Sequence, residues 1–188
     1  MSHSSIGRWS VAGLLTAGMA IALGTEAAGR QPQANRGAAS RSGLFTAAPE
    51  PLPAFTARTL DDRTLRSAEW RGKVTIVNFW ATWCAPCRAE IPDLIRLQTK
   101  YRDHLRIIGF SADEGDPTPV RNFIAAMKMD FPNVRVTPQL DRLFGGVHAL
   151  PMTLLVDREG RIVKKHMGAI DARSVEAEVR ALAGLPPG

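Results

Sequence analysis

The two cysteines of this 188-residue chain, Cys84 and Cys87, are separated by two residues and stand between two predicted elements. An apolar, strand-like run (74–80) leads into them, and a helical pattern (88–101) leads out. A Cys-x-x-Cys pair closes so short a loop that its disulfide would add little stability as a cross-link. The spacing therefore favours reversible thiol–disulfide exchange over a fixed structural bond.

The two cysteines are expected to play different parts in that exchange. Unpaired N–H groups and the helix dipole at a helix N-terminus stabilise a thiolate, which is the attacking species. Cys84 lies further out of the predicted helix, so we expect it to be more exposed and to act as the nucleophile. Cys87, about one turn in, would be the resolving thiol. Pro86 suits a first helical turn because it lacks an N–H group.

Other uses of a cysteine pair are less well supported by the sequence. A zinc site needs about four ligands, and the chain has a single Cys pair and four scattered histidines. A c-type haem site would need His directly after the second cysteine, where this chain has Arg88. A purely structural disulfide remains an alternative at this stage. The histidines are His3, His104, His148 and His166.

Composition indicates one ordinary globular domain with a basic surface. Hydrophobic residues make up 45% of the chain, enough for a proper core, and the formal net charge is +6. Basic residues are spread through the chain without a block and without interleaved aromatic residues. The sequence therefore predicts no nucleic-acid partner.

The N-terminal segment has the features of an export signal. Arg8 precedes an apolar stretch (9–23) of about 15 residues, shorter than the ~20 residues of a comfortable membrane span. Small residues follow, ending at Ala27. We expect residues 1–27 to be a signal peptide or short membrane anchor, residues 28–50 a flexible linker, and residues 51–188 the folded domain. That domain would lie in the periplasm, or on the extracytoplasmic face of the inner membrane.

The domain alternates element types in a way that predicts an α/β fold. Two buried strands are each followed by a helix, and a hairpin and a last helix complete the order, which indicates a mixed central sheet flanked by helices. Two short strands around the turn at Asp61 and Asp62 would form an N-terminal β-hairpin extension. The predicted ranges are the hairpin 54–65, strands 73–80, 105–111, 152–156 and 161–166, and helices 88–102, 119–128 and 171 onward.

This order, with Trp83-Cys84-Ala85-Pro86-Cys87 after the first buried strand, resembles the thioredoxin fold over residues 52–184. The run 77–92 and the preceding segment 65–73 are similar, more narrowly, to exported TlpA/ResA/CcmG-type thioredoxins. The resemblance implies that Pro151 is a cis-proline lying against the active-site sulfur atoms.

The same resemblance implies further site residues. Glu90 matches an acidic residue near the active site of the exported reductases, where a carboxylate can raise a thiol pKa or carry a proton. Asn78 replaces the buried aspartate of cytosolic thioredoxin, which leaves the acid–base work to Glu90 or solvent. Residues expected to contact the substrate are Trp83, Ala85, Pro86 and Leu150.

The function implied is a thiol–disulfide oxidoreductase of the cell envelope that reduces disulfides in specific substrate proteins. The substrates would serve cytochrome c maturation or copper delivery to an oxidase, and electrons would come from a membrane donor of the DsbD/CcdA type. The only redox group needed is the Cys84–Cys87 disulfide, with no metal or other cofactor. The alternatives are an envelope dithiol oxidase and a non-catalytic module that binds a copper or haem partner.

Overall fold

A computed structural model describes residues 48–188 of the chain. The expected leader, residues 1–27, and nearly all of the expected linker lie outside these described residues. The strands are β1 (Glu50–Pro51), β2 (Thr56–Arg58), β3 (Thr64–Arg66), β4 (Val74–Trp80), β5 (Leu105–Ser111), β6 (Asn133–Arg135), β7 (Met152–Val156) and β8 (Arg161–Met167). The helices are α1 (Ala85–Lys100), α2 (Thr118–Ala126), α3 (Pro138–Leu143) and α4 (Ala172–Ala183).

Six strands form a mixed sheet in the order β1-β8-β7-β4-β5-β6. Strand β4 pairs in parallel with β5 and antiparallel with β7, and every residue of β4 is buried. A strand covered on both faces is apolar and β-branched along its length, as this one is. The predicted mixed sheet flanked by helices is confirmed, and its central strand points its C-terminal end at the two cysteines.

Two apolar clusters cover the two faces of the sheet. Helices α1 and α4 contribute Ile91, Leu94 and Val179 to the first cluster. The second cluster is aromatic, with Phe79, Phe110 and Trp70 buried together. Strands β2 and β3 pair antiparallel as a separate two-stranded sheet, and the chain just before β2 packs its aromatic ring, Phe55, edge-on against Trp70. The sheet is thus fixed from both sides, which gives the cysteines a rigid base.

Several elements of the fold differ from the sequence-based prediction. Helix α1 begins at Ala85 rather than at residue 88, because Cys84 already serves as its N-cap. Strands β1 and β6 and helix α3 were not predicted at all. Strand β1 begins at Glu50, the last residue of the expected linker, because it pairs antiparallel with β8. Helix α3 nevertheless carries a local signal, since the Oγ1 atom of Thr137 accepts a hydrogen bond from Leu140 N (3.2 Å) ahead of a proline at the first helical position. Within residues 48–188, no helix combines the length and apolar character needed to cross a membrane.

Candidate active site

The two cysteines lie at the N-terminus of α1 and are joined by a disulfide. Their Cα atoms are 5.3 Å apart, and the Cys84 sulfur accepts a hydrogen bond from Cys87 N (3.3 Å). Cys84 is 5% exposed, whereas Cys87 is fully buried. In the reduced protein the helix N-terminus would favour the thiolate of Cys84. Both cysteines therefore belong to the buried apolar cluster, and Cys84 keeps a small exposed area whereas Cys87 has none.

A carboxylate on the neighbouring strand end holds the loop that leads into the cysteines. Asp113, which follows β5, accepts hydrogen bonds from the backbone N–H (3.0 Å) and the hydroxyl of Thr82. Ser111 donates its hydroxyl to the same carboxylate (2.8 Å). Because β4 and β5 are parallel neighbours, their C-terminal ends meet at this edge of the sheet. The contact fixes the backbone next to Trp83 and was not predicted from the sequence.

Exposed residues surround the disulfide on its outer side. Trp83 is 69% exposed, although it is a large apolar residue, and Ala85 and Pro86 are also exposed. Trp83 forms one wall of a groove of about 530 Å³ whose other walls include His148 and Leu150. An exposed aromatic wall next to a groove is suited to contact with a partner.

The peptide bond between Leu150 and Pro151 is cis, as the resemblance implied. Pro151 is buried and directly precedes β7, the strand paired with β4. Its carbonyl accepts a hydrogen bond from Gly168 N (2.9 Å), which ties the turn to the end of β8. Leu150 is half-buried, and it reaches both the groove and the core.

Glu90 is buried inside the protein, one turn of α1 after Cys87. It is only 4% exposed. One carboxyl oxygen accepts a hydrogen bond from Asn78 Nδ2 (2.7 Å), and the other accepts one from Ile170 N (3.1 Å). Burial raises the pKa of Glu90 above its usual value, and these two hydrogen bonds only partly oppose the effect. A carboxyl group with a raised pKa, one turn after Cys87 on the same helix, is suited to exchange a proton with that thiol.

Asn78 connects Glu90 to a second buried polar residue. Its amide N–H group also donates to the hydroxyl of Thr153 on β7 (3.0 Å). Asn78 cannot itself take up a proton, so it positions the Glu90 carboxyl without titrating. The sequence drew attention to Asn78 and Glu90 separately, and the structure shows that they are hydrogen-bonded to each other.

The structure therefore brings most of the predicted site residues together at one end of the sheet. Within residues 48–188, no group of three or more His, Cys, Asp or Glu side chains is placed to hold a metal ion. Sequence reasoning missed Asp113 and Thr153, whose partners Thr82 and Asn78 are distant along the chain. It also missed Glu178, a buried residue of α4 whose carboxylate contacts Lys164 Nζ and His166 Nε2 of β8. For the two carboxylates, the sequence offered one signal, which is an acidic residue beside or within an otherwise apolar strand or helix face.

Comparison with known proteins gives matches to one family of proteins. The AhpC/TSA family model matches residues 49–165. The thiol-disulfide oxidoreductase ResA of Bacillus thuringiensis (strain Al Hakam) is 31% identical over 133 residues, covering 69% of this chain and 75% of the relative. The thiol:disulfide interchange protein HelX of Rhodobacter capsulatus is 37% identical over 100 residues, covering 53% of this chain and 54% of HelX.

A solved structure supports the same assignment. The crystal structure of a thiol:disulfide interchange protein of the thioredoxin family from Chlorobium tepidum TLS is similar to this chain with a TM-score of 0.68 and 31% identity. The match covers 73% of this chain and 99% of that protein. With a reversible dithiol at the start of α1 and relatives of this kind, the chain belongs to the AhpC/TSA family and is a thioredoxin-like thiol–disulfide oxidoreductase.

Proposed function

We propose that this protein reduces disulfides in specific substrate proteins on the extracytoplasmic side of the inner membrane. The observation that carries the proposal is the asymmetry of the dithiol. Cys84 keeps a small exposed area beside the exposed Trp83, while Cys87 is fully buried on the same helical face as Glu90. Such an arrangement suits one sulfur for attack on an outside disulfide and the other for release of the product.

The reaction would run in two exchange steps. The Cys84 thiolate attacks one sulfur of the substrate disulfide, so that a mixed disulfide forms and the other substrate sulfur leaves as a thiolate. The Cys87 thiol then loses its proton to Glu90 and attacks Cys84. The mixed disulfide breaks, the second substrate thiolate leaves, and the Cys84–Cys87 disulfide forms. Two electrons pass from the protein to the substrate.

Substrate contact would involve the groove beside the disulfide. Trp83, Ala85 and Pro86 present an exposed rim, and Leu150 stands on the opposite side next to the cis-proline. An extended segment of the substrate would lie along this rim, beside the backbone of Leu150. That backbone continues through Pro151 into strand β7. Pro151 would then limit how closely the segment approaches the sulfur atoms.

The leader and the family resemblance support the partners and placement in this proposal. An export segment at 1–27 would place the dithiol where the surroundings are oxidising, so the reduced form needs an electron supply. A membrane donor of the DsbD/CcdA type would provide it, with apocytochromes c or copper-delivery proteins as substrates. Two of the relatives, ResA and HelX, are named for the same thiol–disulfide activity.

The direction of electron flow is tested by the reduction potential of the Cys84–Cys87 pair. A value near thioredoxin's, about −270 mV, supports a reductant, and a value near −120 mV would show an oxidant instead. Insulin reduction by the reduced protein separates both from a non-catalytic binding module, which would show no turnover. The matched control is the Cys84→Ser variant, which keeps the fold but lacks the attacking sulfur.

A further inference from the structure

The groove beside the disulfide is lined by four segments of the chain. Two lining residues belong to the redox site, since Trp83 precedes Cys84 and Leu150 forms the cis peptide bond with Pro151. The others come from the loop after β5, the segment that leads from β6 into α3, and the loop between α3 and β7. A substrate segment that contacts Trp83 and Leu150 would therefore also meet side chains of these three segments.

The charges in this groove are acidic. Glu114 lies in the loop after β5, and Asp141 lies in α3. Within residues 48–188, no lysine or arginine lines the groove, although basic residues outnumber acidic ones in the whole chain by 24 to 18. The groove is therefore locally acidic on a protein whose formal net charge is +6.

Glu114 presents a carboxylate that can pair with a substrate. The residue is exposed, and no side chain among residues 48–188 forms a hydrogen bond or ion pair with it. The two neighbouring carboxylates differ, because Asp113 accepts hydrogen bonds from Thr82 and Asp116 accepts them from Thr118. Of the three acidic residues in this loop, Glu114 is thus the one that a substrate can use.

Asp141 uses one carboxyl oxygen to hold the loop between α3 and β7. Its Oδ1 atom accepts a hydrogen bond from Val147 N (2.8 Å), whereas no donor in the described part of the chain reaches its Oδ2 atom. The same loop fits closely around His148, since a Cβ atom at Gly146 would lie 2.6 Å from the imidazole ring. Asp141 therefore offers a second acceptor to the groove from a wall that its own hydrogen bond holds in place.

We propose that this groove selects substrate segments with a lysine or arginine beside the disulfide cysteine, and that Glu114 and Asp141 determine that specificity. The proposal rests on the proposed function and names the class of segment that the dithiol meets. A long basic side chain can lay its hydrocarbon stem on an apolar wall while its cation faces a carboxylate or the ring of Trp83. The groove offers both kinds of surface, because Val136 and Val147 also line it.

The overall charge of the protein would favour the opposite choice. A net charge of +6 attracts acidic segments at long range, and salt screens this attraction beyond about 8 Å at physiological ionic strength. The two groove carboxylates act at contact instead. A preference for basic segments would therefore come from the groove and not from the overall charge.

The test uses three synthetic peptides that differ only in the residues flanking one cysteine, which are lysine, glutamine or glutamate. In each peptide the cysteine is disulfide-bonded to the same small aromatic thiol, whose release gives kcat/KM for the reduced protein. We expect the lysine peptide to react fastest and the glutamate peptide slowest, with a ratio of roughly 5 to 20 between them. This ratio should shrink as the salt concentration rises.

Flanking lysines also activate a disulfide by themselves, so the comparison between protein variants decides. Glu114→Gln and Asp141→Asn should each lower the preference for lysine over glutamine by roughly 2- to 5-fold, and Glu114→Lys should lower it further. The Asp141→Asn variant keeps an oxygen that can accept the hydrogen bond from Val147 N. The matched control is Glu159→Gln, at an exposed position in the turn between β7 and β8, at the end of the sheet remote from the dithiol.

An unchanged preference in both Glu114→Gln and Asp141→Asn, or an equal loss in Glu159→Gln, would overturn the proposal. A second readout does not depend on reduction: the same peptides with serine in place of cysteine are titrated into the oxidised protein, followed by the NMR signal of the Trp83 indole N–H. Equal binding of the lysine and glutamate forms would also overturn the proposal. If the wild type reduces none of the peptides, the proposed function fails, and the titration still decides whether the groove selects basic segments.

Discussion

Asn78 of β4 and Glu90 of α1 are joined by a 2.7 Å hydrogen bond inside the core, and neither side chain has appreciable access to solvent. The pair lies one helical turn from the buried sulfur of Cys87. A buried carboxyl would be costly without a role or a partner, and here it has two hydrogen-bond donors. In the proposed mechanism this carboxyl accepts the proton of the resolving thiol, Cys87.

Replacing Glu90 with Gln should slow the second step of the reaction more than the first. The amide keeps a hydrogen-bonding group in place of the carboxyl but cannot accept the proton of Cys87. We expect the resolving step to slow by roughly 10²-fold near neutral pH, so that mixed disulfide accumulates in rapid-quench experiments. Unchanged decay of the mixed disulfide would show that solvent, rather than Glu90, takes the proton.

Glu90 and Glu178 should make opposite contributions to the pH dependence of stability. The pKa of Glu90 is raised by burial, so its contribution is fully present below the unfolded-state pKa and is lost as pH rises through the folded-state pKa. Burial acts to raise the pKa of Glu178, but the hydrogen bonds from His166 and Lys164 lower it on balance, so its contribution is present above the unfolded-state pKa and is lost as pH falls through the folded-state pKa.

Urea unfolding of the two Gln variants, compared with the wild type at several pH values, checks these signs. Glu90→Gln should gain in free energy of unfolding relative to the wild type as pH rises from 4 to 7. Glu178→Gln should be less stable than the wild type by about 1–3 kcal/mol near neutral pH, because Lys164 and His166 lose their charged partner. This deficit should shrink as pH falls below the unfolded-state pKa of Glu178. If the free energies of unfolding of both variants changed in the same direction with pH, relative to the wild type, the opposite pKa shifts of Glu90 and Glu178 would be contradicted.

Trp83 should matter for protein substrates and not for folding. Because it is 69% exposed, Trp83→Ala should change the free energy of unfolding by no more than about 0.5 kcal/mol. Reduction of a protein disulfide should fall by roughly 10-fold, whereas reaction with a small aromatic disulfide reagent should be nearly unchanged. Leu143→Ala, another exposed apolar residue, is the control and should affect neither rate. Equal losses for both substrates would mean that Trp83 acts on the sulfur atoms themselves.

Asp113 should control the loop that precedes the dithiol. In Asp113→Ala, the N–H and hydroxyl of Thr82 lose their acceptor, so we expect a loss of about 1–3 kcal/mol in stability. The exchange rate should fall as well, since the backbone next to Trp83 and Cys84 is freed. Thermal unfolding and insulin reduction measure the two effects, and Asp103→Ala, at an exposed carboxylate before β5, is the control. Full activity and stability in Asp113→Ala would show that Asp113 does not support the site.

Much of the sheet could be predicted because its longer strands are recognisable from the pattern of their own residues. The run Val74–Trp80 is apolar throughout, as a strand buried on both faces must be. Strand β6 has only three residues and is placed by its pairing with β5, which no local pattern encodes. Tertiary pairing decides such short strands more than propensity does.

The site was predictable in its sulfur chemistry and less so in its polar supports. The spacing of Cys84 and Cys87 and the position of Pro151 are local or family features. The links from Asn78 to Thr153 and from His166 to Glu178 join residues that are far apart along the chain or on different elements. Only the register of β4, β7 and β8 brings Asn78, Thr153 and His166 onto one face of the sheet. A single sequence does not reveal that register.

The central claim is that Cys84 attacks the substrate and Cys87 resolves the mixed disulfide. Its most direct test is mass spectrometry of disulfide-linked species from cells that produce full-length Cys87→Ser or Cys84→Ser protein. The asymmetry in exposure of the two sulfur atoms predicts a trapped mixed disulfide through Cys84 in the Cys87→Ser variant and none in the Cys84→Ser variant. Trapping through Cys87 alone, or by neither variant, would contradict this account.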